Sequence, residues 1–166
     1  MSNHDTLRIA LNTLRTFLLP RWQAKHAHIL SMRGVLHGGP VKTQDRAMCR
    51  FTAIFVEAAL PILGIDEFEY AEGRPVSDDE DGGYLCRGHW YAHAWLTNGD
   101  TIIDITATQF GDAPVVIRDQ QEATMYHDNS LEEERECAYT NTEETVFAWL
   151  DEFRALHSPE KVSAHD

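Results

Sequence analysis

The chain has 166 residues, 43% of them hydrophobic and 25% charged, and it carries a formal charge of −13. This length and composition are those of one globular domain with a sizeable core. Nucleic acids and anionic membranes bind clustered lysine and arginine, so the acidity argues against both. We therefore predict a single domain over residues 1–166, with no nucleic-acid or membrane partner.

The sequence also indicates a compartment. No apolar run approaches the roughly 20 residues of a membrane span. The first residues, from Met1 to Asp5, lack the basic and apolar segments of a signal peptide. Three cysteines are too few, and odd in number, for a disulfide framework. These features predict a reduced, cytoplasmic protein, whereas nothing in them indicates the oligomeric state.

The apolar periodicity predicts helices first, then an antiparallel sheet and a last helix, which is an α+β order. Pro20 is expected to end the first helix, and Thr140 with Glu143 forms a capping-box pattern that is expected to open the last. A tail from about His157 is expected to fray. The predicted helices span 6–19, 45–60 and 140–156, and the predicted strands 68–72, 84–97, 101–105 and 114–118. Residues 119–140 show no clear pattern.

Residues 93–106 read as a β-hairpin. Asn98-Gly99 is a strong signal for a two-residue type I′ turn. With that turn, His93 pairs with Asp104, and directly opposed residues share one face of the sheet. An aspartate there can accept a hydrogen bond from the imidazole, fix its tautomer and raise its basicity. The hairpin therefore predicts two members of a catalytic triad.

Three cysteines could supply a nucleophile. Strand alternation places Cys86 in the core, and Cys137 lies among glutamates, which disfavour a thiolate. Cys49 falls near the start of the second predicted helix, where free N–H groups and the helix dipole stabilise a thiolate. The alternative for Cys49 is a small apolar residue on the core face of that helix.

Three motifs together resemble a known family. They are Cys49 at a helix start, His-Ala-Trp-Leu over residues 93–96, and Asp-Ile-Thr-Ala-Thr-Gln-Phe over residues 104–110. The pattern, over roughly residues 38–110, is similar to that of small bacterial members of the transglutaminase-like branch of the papain-like cysteine hydrolases. The resemblance implies a papain-like core with N-terminal helices packed on an antiparallel sheet and a C-terminal helix. It implies Cys49 as nucleophile, His93 as general base and acid, Asp104 as the residue that orients His93, and no cofactor or metal.

Further residues are candidates for the cleft. Papain-like enzymes often carry a glutamine shortly before the cysteine, and Gln44 with the Cys49 N–H could stabilise an oxyanion. Gln44 could equally be a polar residue before the helix. Gln109 is a second cleft candidate, although its position favours a structural bond within its loop. Trp95 shares the face of His93 and is expected to wall the site and exclude water.

These residues predict cysteine-dependent acyl transfer on an amide of a peptide, a protein or a small molecule. Peptidase, amidase and glutamine or asparagine deamidase activities all fit. One alternative is a transglutaminase or acyltransferase that resolves the thioester with an amine. Another is an inactive papain-like fold that serves as a protein-binding module or inhibitor. A metal-dependent hydrolase built on His26, His28 and His37 is a further alternative.

Overall fold

A four-stranded antiparallel sheet lies between three helices on one face and a smaller three-stranded antiparallel sheet on the other. The computed structural model describes residues 1–77 and 80–158 of the chain. Helices combined with antiparallel sheets confirm the α+β class. The second, smaller sheet is absent from the sequence-based prediction.

Three helices and seven strands form within the described residues. The helices are α1 (Asn3–Arg33), α2 (Cys49–Ala59) and α3 (Glu132–His157). The strands are β1 (Glu69–Gly73), β2 (Gly83–Cys86), β3 (His89–Tyr91), β4 (His93–Thr97), β5 (Thr101–Asp104), β6 (Val116–Asp119) and β7 (Tyr126–His127). Single 3-10 turns span Leu60–Leu63 and Ala107–Phe110. The strand order is β1-β4-β5-β6 in the larger sheet and β3-β2-β7 in the smaller.

Strand β4 contributes to both layers of the core. Ala94 and Leu96 pack among the residues of the helices. Trp95 packs between the two sheets, and the ring of His93 lies beside it with a centroid separation of 6.1 Å. Successive side chains of a strand point to opposite faces. The alternation therefore places His93 on the side of the smaller sheet.

The two sheets meet at the end of β1. A Cβ atom on Gly73 would lie 2.1 Å from the carbonyl oxygen of His127 and 2.4 Å from the backbone nitrogen of Gly83. Only a residue without a side chain fits this close approach. Gly73 also pairs with His93 across the β1–β4 ladder. The contact between the sheets thus positions the start of β4.

Helix α1 continues through Pro20 to Arg33, so the predicted end of the first helix is wrong. Proline in a helix interior removes a backbone hydrogen bond and costs about 3 kcal/mol relative to alanine. Packing beyond the proline outweighs this cost. Trp22 is fully buried, and its indole N–H donates to the Thr52 hydroxyl at 2.8 Å.

The β4–β5 hairpin forms, but its register differs by two residues from the prediction. Leu96 pairs with Ile103, so the two central residues of the turn are Gly99 and Asp100. Gly99 has a φ of 93°, and Asp100 is not among the residues with positive φ, as in a type II′ turn. Because side chains alternate with a period of two, a two-residue shift leaves His93 and Asp104 on the same face, now as diagonal neighbours.

Residues 84–97 form three strands rather than the single strand that was expected. A hairpin joins β2 and β3 through Arg87 and Gly88, whose φ angles are 51° and 78°. Positive φ at both central residues is the type I′ arrangement. That turn type therefore occurs here instead of at Asn98-Gly99. The sequence at this turn is Arg-Gly, which indicates a type I′ turn less strongly than Asn-Gly does.

Helix α3 begins at Glu132, eight residues before the predicted start. The carboxylate of Glu134 accepts a hydrogen bond from the Leu131 N–H at 3.0 Å, which satisfies one free donor at the helix start. Thr140, the predicted cap, lies inside the helix, where its hydroxyl donates to the Glu136 carbonyl at 3.0 Å. The apolar periodicity therefore indicated the helix only from residue 140 onward and did not indicate its first turns.

The strands predicted over 68–72, 101–105 and 114–118 form as β1, β5 and β6, with ends that differ by at most two residues. The second helix begins at Cys49 instead of residue 45. Residues 78–79 and most of the tail predicted to fray, residues 159–166, lie outside the described residues. Among the described helices, none is both long enough and apolar enough to cross a membrane.

Replacing Pro20 with alanine should stabilise the protein. Pro20 is exposed within a continuous helix, so alanine would restore a backbone hydrogen bond without disturbing the core. We expect a gain of about 1–2 kcal/mol, since the helix penalty of proline is partly offset by the greater entropy of the unfolded alanine chain. Urea unfolding measures the change.

Thr16→Ala, one turn earlier on the exposed side of α1, is the matched control and should add no more than about 0.7 kcal/mol from helix propensity. A loss of stability in Pro20→Ala would mean that the burial of Trp22 depends on a bend at the proline.

Candidate active site

A buried hydrogen bond joins His93 at the start of β4 to Asp104 at the end of β5. The distance from His93 Nε2 to Asp104 Oδ2 is 2.6 Å, and both side chains are almost completely buried. Asp104 therefore contacts one nitrogen of the imidazole. The other nitrogen, Nδ1, is also buried and has no hydrogen-bond partner among the described residues.

The Asp104 carboxylate has donors at both oxygens. Oδ2 also accepts a hydrogen bond from the Tyr126 hydroxyl at 2.9 Å. Oδ1 accepts from the backbone N–H and the hydroxyl of Thr106, at 2.8 and 3.0 Å. Hydrogen bonds to the ionised form are what make a buried carboxylate tolerable. The aspartate is thus held as an anion in a fixed orientation.

The electrostatics of the pair shift both pKa values toward the charged forms. Burial lowers the pKa of His93, but the charge and hydrogen bond of Asp104, with the neighbouring Cys49 thiol, raise it well above its ordinary value. Burial raises the pKa of Asp104, but His93, Thr106 and Tyr126 together hold it below its ordinary value. An imidazolium paired with a carboxylate is the state that this environment favours.

Aromatic rings enclose His93. Phe110 and Tyr84 meet its ring edge to face, with centroid separations of 4.9 and 5.8 Å. Trp95 stacks behind it and also contacts Tyr126 at 5.2 Å. Trp95 is 3% exposed and lies in the core between the sheets. It therefore packs behind the His93–Asp104 pair and keeps water away from it, and does not line the open cleft.

Cys49 is the first residue of helix α2, as the sequence predicted to within one turn. Its backbone N–H has no acceptor among the described residues, because the first N–H groups of a helix lack intrahelical partners. The side chain is partly buried, and it lines one small pocket together with His93. The N–H beside the thiol is a free donor that could face an oxyanion.

The segment before Cys49 is strained and firmly anchored. Ala47 has a φ of 67°, a left-handed conformation that costs a residue with a side chain about 1–2 kcal/mol. Asp45 is fully buried and accepts hydrogen bonds from the hydroxyls of Thr43 and Thr108. His26 on α1 bonds the Arg46 carbonyl at 2.6 Å. Strain that is fixed by its surroundings is common beside functional residues.

Two cavities meet at Cys49. The smaller one, of about 70 Å³, is lined by Cys49, His93, Arg50, Ala92 and four further residues: Glu72, Gly73, Arg74 and Glu134. We call it the histidine pocket.

The larger cavity, of about 740 Å³, extends from Cys49 along α1 and does not include His93. We call it the helix groove. Its lining contains no aspartate or glutamate among the described residues, although the chain as a whole is strongly acidic. Its basic and histidine residues are Lys25, His28, Arg33, His37 and Arg50.

The two glutamines have different positions. Gln109 is 1% exposed, its carbonyl accepts from the Gly39 N–H at 2.9 Å, and its NH₂ donates to the Thr106 carbonyl at 2.7 Å. Gln109 thus makes the structural loop bond that its position favoured, and it also lines the helix groove. Gln44 lies exposed in the turn before Ala47 and lines neither cavity. The structure does not bring Gln44 to Cys49.

The two other cysteines line neither cavity, whereas His28 and His37 line the helix groove. Cys86 is buried, as predicted, but it belongs to β2 rather than to the strand of His93 and packs with Trp95 between the two sheets. Cys137 is exposed on α3. His26 and His28 belong to α1 and His37 to the loop after it. Within the described ranges, no three histidine, cysteine or carboxylate side chains are arranged to hold a metal ion.

Sequence reasoning missed two residues of this site. Tyr126 lies in the unreadable stretch 119–140, and no local pattern links it to Asp104. Glu72 lines the histidine pocket, and its position within a predicted strand next to Gly73 was the one signal available. Both residues reach the site through strand pairing, Tyr126 with Tyr84 in the smaller sheet and Glu72 in β1 beside β4.

The His93–Asp104 pair should make stability depend on pH in a defined window. The pKa of Asp104 is lower in the folded protein than in the unfolded chain. Its contribution to stability is therefore present above the unfolded pKa of about 3.9 and is lost as the pH falls. The pKa of His93 is higher in the folded protein than in the unfolded chain. Its contribution to stability is therefore present below the unfolded pKa of about 6.5 and is lost as the pH rises through the folded pKa.

The stability advantage of the wild type over Asp104→Asn should therefore be largest between about pH 4 and 6.5. Above that window it should shrink by up to about 1.4 kcal/mol per pH unit. Urea unfolding at a series of pH values measures it. An advantage that is constant from pH 6 to 9 would contradict the raised pKa of His93.

Ala47→Gly should stabilise the protein by about 0.5–1 kcal/mol, because glycine adopts the left-handed conformation without strain but loses more entropy on folding. Thermal or urea unfolding measures the gain. Ala58→Gly, within helix α2, is the control and should lose about 1 kcal/mol. If both variants are destabilised equally, Ala47 carries no strain.

Comparisons with known proteins identify no relative of this chain. No family model, no curated protein and no solved structure matches it. The chemistry of Cys49, His93, Asp104 and the two cavities that meet beside them is therefore what indicates a function.

Proposed function

We propose that this protein is a cysteine-dependent acyl-transfer enzyme that acts on amides. Cys49 is the nucleophile, His93 the general acid and base, and Asp104 the residue that orients His93, on a papain-like core of the transglutaminase-like type. One observation carries the proposal. His93 is fixed through Nε2 by a buried carboxylate, which leaves Nδ1 without a partner, and the residue lines the same small pocket as Cys49.

Each member of the triad has a distinct task in the reaction. With its proton on His93, the Cys49 sulfur attacks the amide carbonyl, and a C–S bond forms. His93 then donates its proton to the nitrogen as the C–N bond breaks and the amine departs. Water attacks the resulting thioester and gives a proton to His93, which releases the acid and the thiolate. Asp104 stays ionised throughout and stabilises the imidazolium.

The negative oxygen of the tetrahedral intermediate needs hydrogen-bond donors. The N–H of Cys49 at the start of α2 is the donor that the site supplies. Such a donor is worth about 2.7–4 kcal/mol of transition-state stabilisation. The positive end of the helix dipole adds to the same effect. No cofactor takes part in this chemistry.

The position of His93 indicates which cavity binds the amine part of the substrate and which binds the acyl part. The general acid must reach the leaving nitrogen. His93 lines the histidine pocket but not the helix groove, so the amine departs on the side of the pocket. The acyl part then occupies the helix groove, whose lining combines cationic residues with the apolar side chains of Ile29, Met32, Val35 and Phe51. An acyl group with acidic or apolar character fits this lining.

Reaction with p-nitrophenyl acetate tests the nucleophile. We expect a burst of about one equivalent of p-nitrophenolate and an acetyl group on the peptide that contains Cys49, located by mass spectrometry. Cys49→Ala should abolish the burst and change stability by no more than about 1 kcal/mol, because the residue is small and lies at a helix end. Cys137→Ala, at an exposed position on α3, should keep the burst.

An inactive fold that serves as a binding module would behave differently. Cys49 would then be a packing residue, Cys49→Ala would destabilise the protein strongly, and acetyl groups would appear on Cys137 or surface lysines alone. That outcome would overturn the proposed function.

A further inference from the structure

Glu72 presents a carboxylate oxygen that nothing in the described protein uses. The residue lies on β1 and is 5% exposed. Its Oε2 accepts hydrogen bonds from Arg50 Nε and from the Tyr70 hydroxyl, both at 3.0 Å. Its Oε1 is buried and has no hydrogen-bond partner. One oxygen is thus held in place by two donors while the other has none.

A buried polar atom without a partner is costly, and native proteins rarely keep one without a reason. Glu72 lines the histidine pocket, the cavity that also contains Cys49 and His93. His93, which lines the same pocket, carries another such atom, Nδ1. Two residues that line one small cavity therefore each carry a buried polar atom without a hydrogen-bond partner, an acceptor on Glu72 and a proton donor on His93.

The size of the pocket restricts what can enter it. Its volume is about 70 Å³, against about 740 Å³ for the helix groove. Two ion pairs line it, Arg50 with Glu72 at 3.0 Å and Arg74 with Glu134 at 2.6 Å. A group of a few atoms fills a cavity of this volume.

We propose that the histidine pocket binds the leaving nitrogen as ammonia or a small primary amine, with Glu72 Oε1 accepting one of its N–H groups. This inference rests on the proposed function and narrows its substrate class to primary carboxamides and amides of very small amines. The enzyme is then an amidase or deamidase and does not cleave within peptide chains. Glu72 is its specificity-determining residue.

The same contacts operate in the two directions of the reaction. In acylation, the C–N bond breaks while His93 Nδ1 donates its proton to the nitrogen and Glu72 accepts an N–H already present on it. In the reverse step, a small amine enters the pocket, gives one proton to His93 and attacks the thioester carbon, and the Cys49 sulfur leaves as thiolate. An amine that enters the pocket therefore competes with water for the acyl-enzyme.

Acetyl-enzyme formed from p-nitrophenyl acetate, freed of excess ester, is the probe. p-Nitrophenolate departs as a stable anion, so its release needs neither a proton from His93 nor space in the histidine pocket. Methylamine or cyclohexylamine is then added at equal concentrations of free base, and deacetylation and amide formation are followed by mass spectrometry. We expect methylamine to speed deacetylation and yield N-methylacetamide, whereas cyclohexylamine should react at least about tenfold more slowly.

Glu72→Gln should reduce the methylamine reaction at least about tenfold. Arg50 and Tyr70 are both donors, so the oxygen of the glutamine side chain takes the place of Oε2. Its NH₂ group then replaces Oε1 and meets an N–H of the amine instead of accepting it. The rate with methylamine is compared per mole of acetyl-enzyme, so it does not depend on the size of the acetylation burst.

Glu57→Gln is the matched control. Glu57 also contacts Tyr70, through the backbone N–H at 2.5 Å, but it does not line the pocket. This variant should keep the wild-type rate with methylamine. Thermal unfolding reports whether each variant is folded, and the comparison of amine sizes in the wild type needs no variant.

The outcomes separate the two proposals. If Cys49 is acetylated but cyclohexylamine reacts as fast as methylamine, or folded Glu72→Gln keeps the wild-type rate with methylamine, the small-amine pocket is wrong and acyl transfer stands. If Cys49 is never acetylated, the proposed function fails, and the inference about Glu72 fails with it.

Discussion

The buried contact between His93 and Asp104 is the constraint on which the rest of the site depends. Removing two charges from water costs several kcal/mol for each, and only good geometry with further hydrogen bonds compensates. Thr106 and Tyr126 supply those bonds, and the aromatic rings around His93 exclude water. The smaller sheet contributes Tyr126, so the layer that covers this face of the larger sheet also helps to hold Asp104.

The site also depends on the edge at which the helices and the two sheets meet. Cys49 begins α2 on the helical side of the larger sheet, whereas His93 faces the smaller sheet. The two residues line one pocket because His93 is the first residue of β4, at the edge where the helices, β1 and the smaller sheet converge. Gly73 allows that convergence, since any side chain there would separate the two sheets.

The sequence predicted the His93–Asp104 contact correctly even though it predicted the wrong turn. Strand alternation has a period of two, so the two-residue change of register kept both side chains on one face. The helix break at Pro20 was wrong because the burial of Trp22 outweighs a local preference. Tyr126 and the unpartnered oxygen of Glu72 were beyond prediction, because their roles come from strand pairing and from the contacts of a folded cavity. The part of the site that local patterns define was therefore predictable, and the part that tertiary contacts define was not.

The rate of iodoacetamide alkylation at each cysteine, measured against pH on the native protein, tests the central claim most directly. Cys49 is partly buried and Cys137 exposed, so accessibility alone favours Cys137. A Cys49 that is paired with the His93 imidazolium should nevertheless react faster than Cys137 at pH 6, and His93→Ala should remove this advantage. Faster alkylation of Cys137 at every pH, with Cys49 unreactive, would contradict the existence of an activated nucleophile.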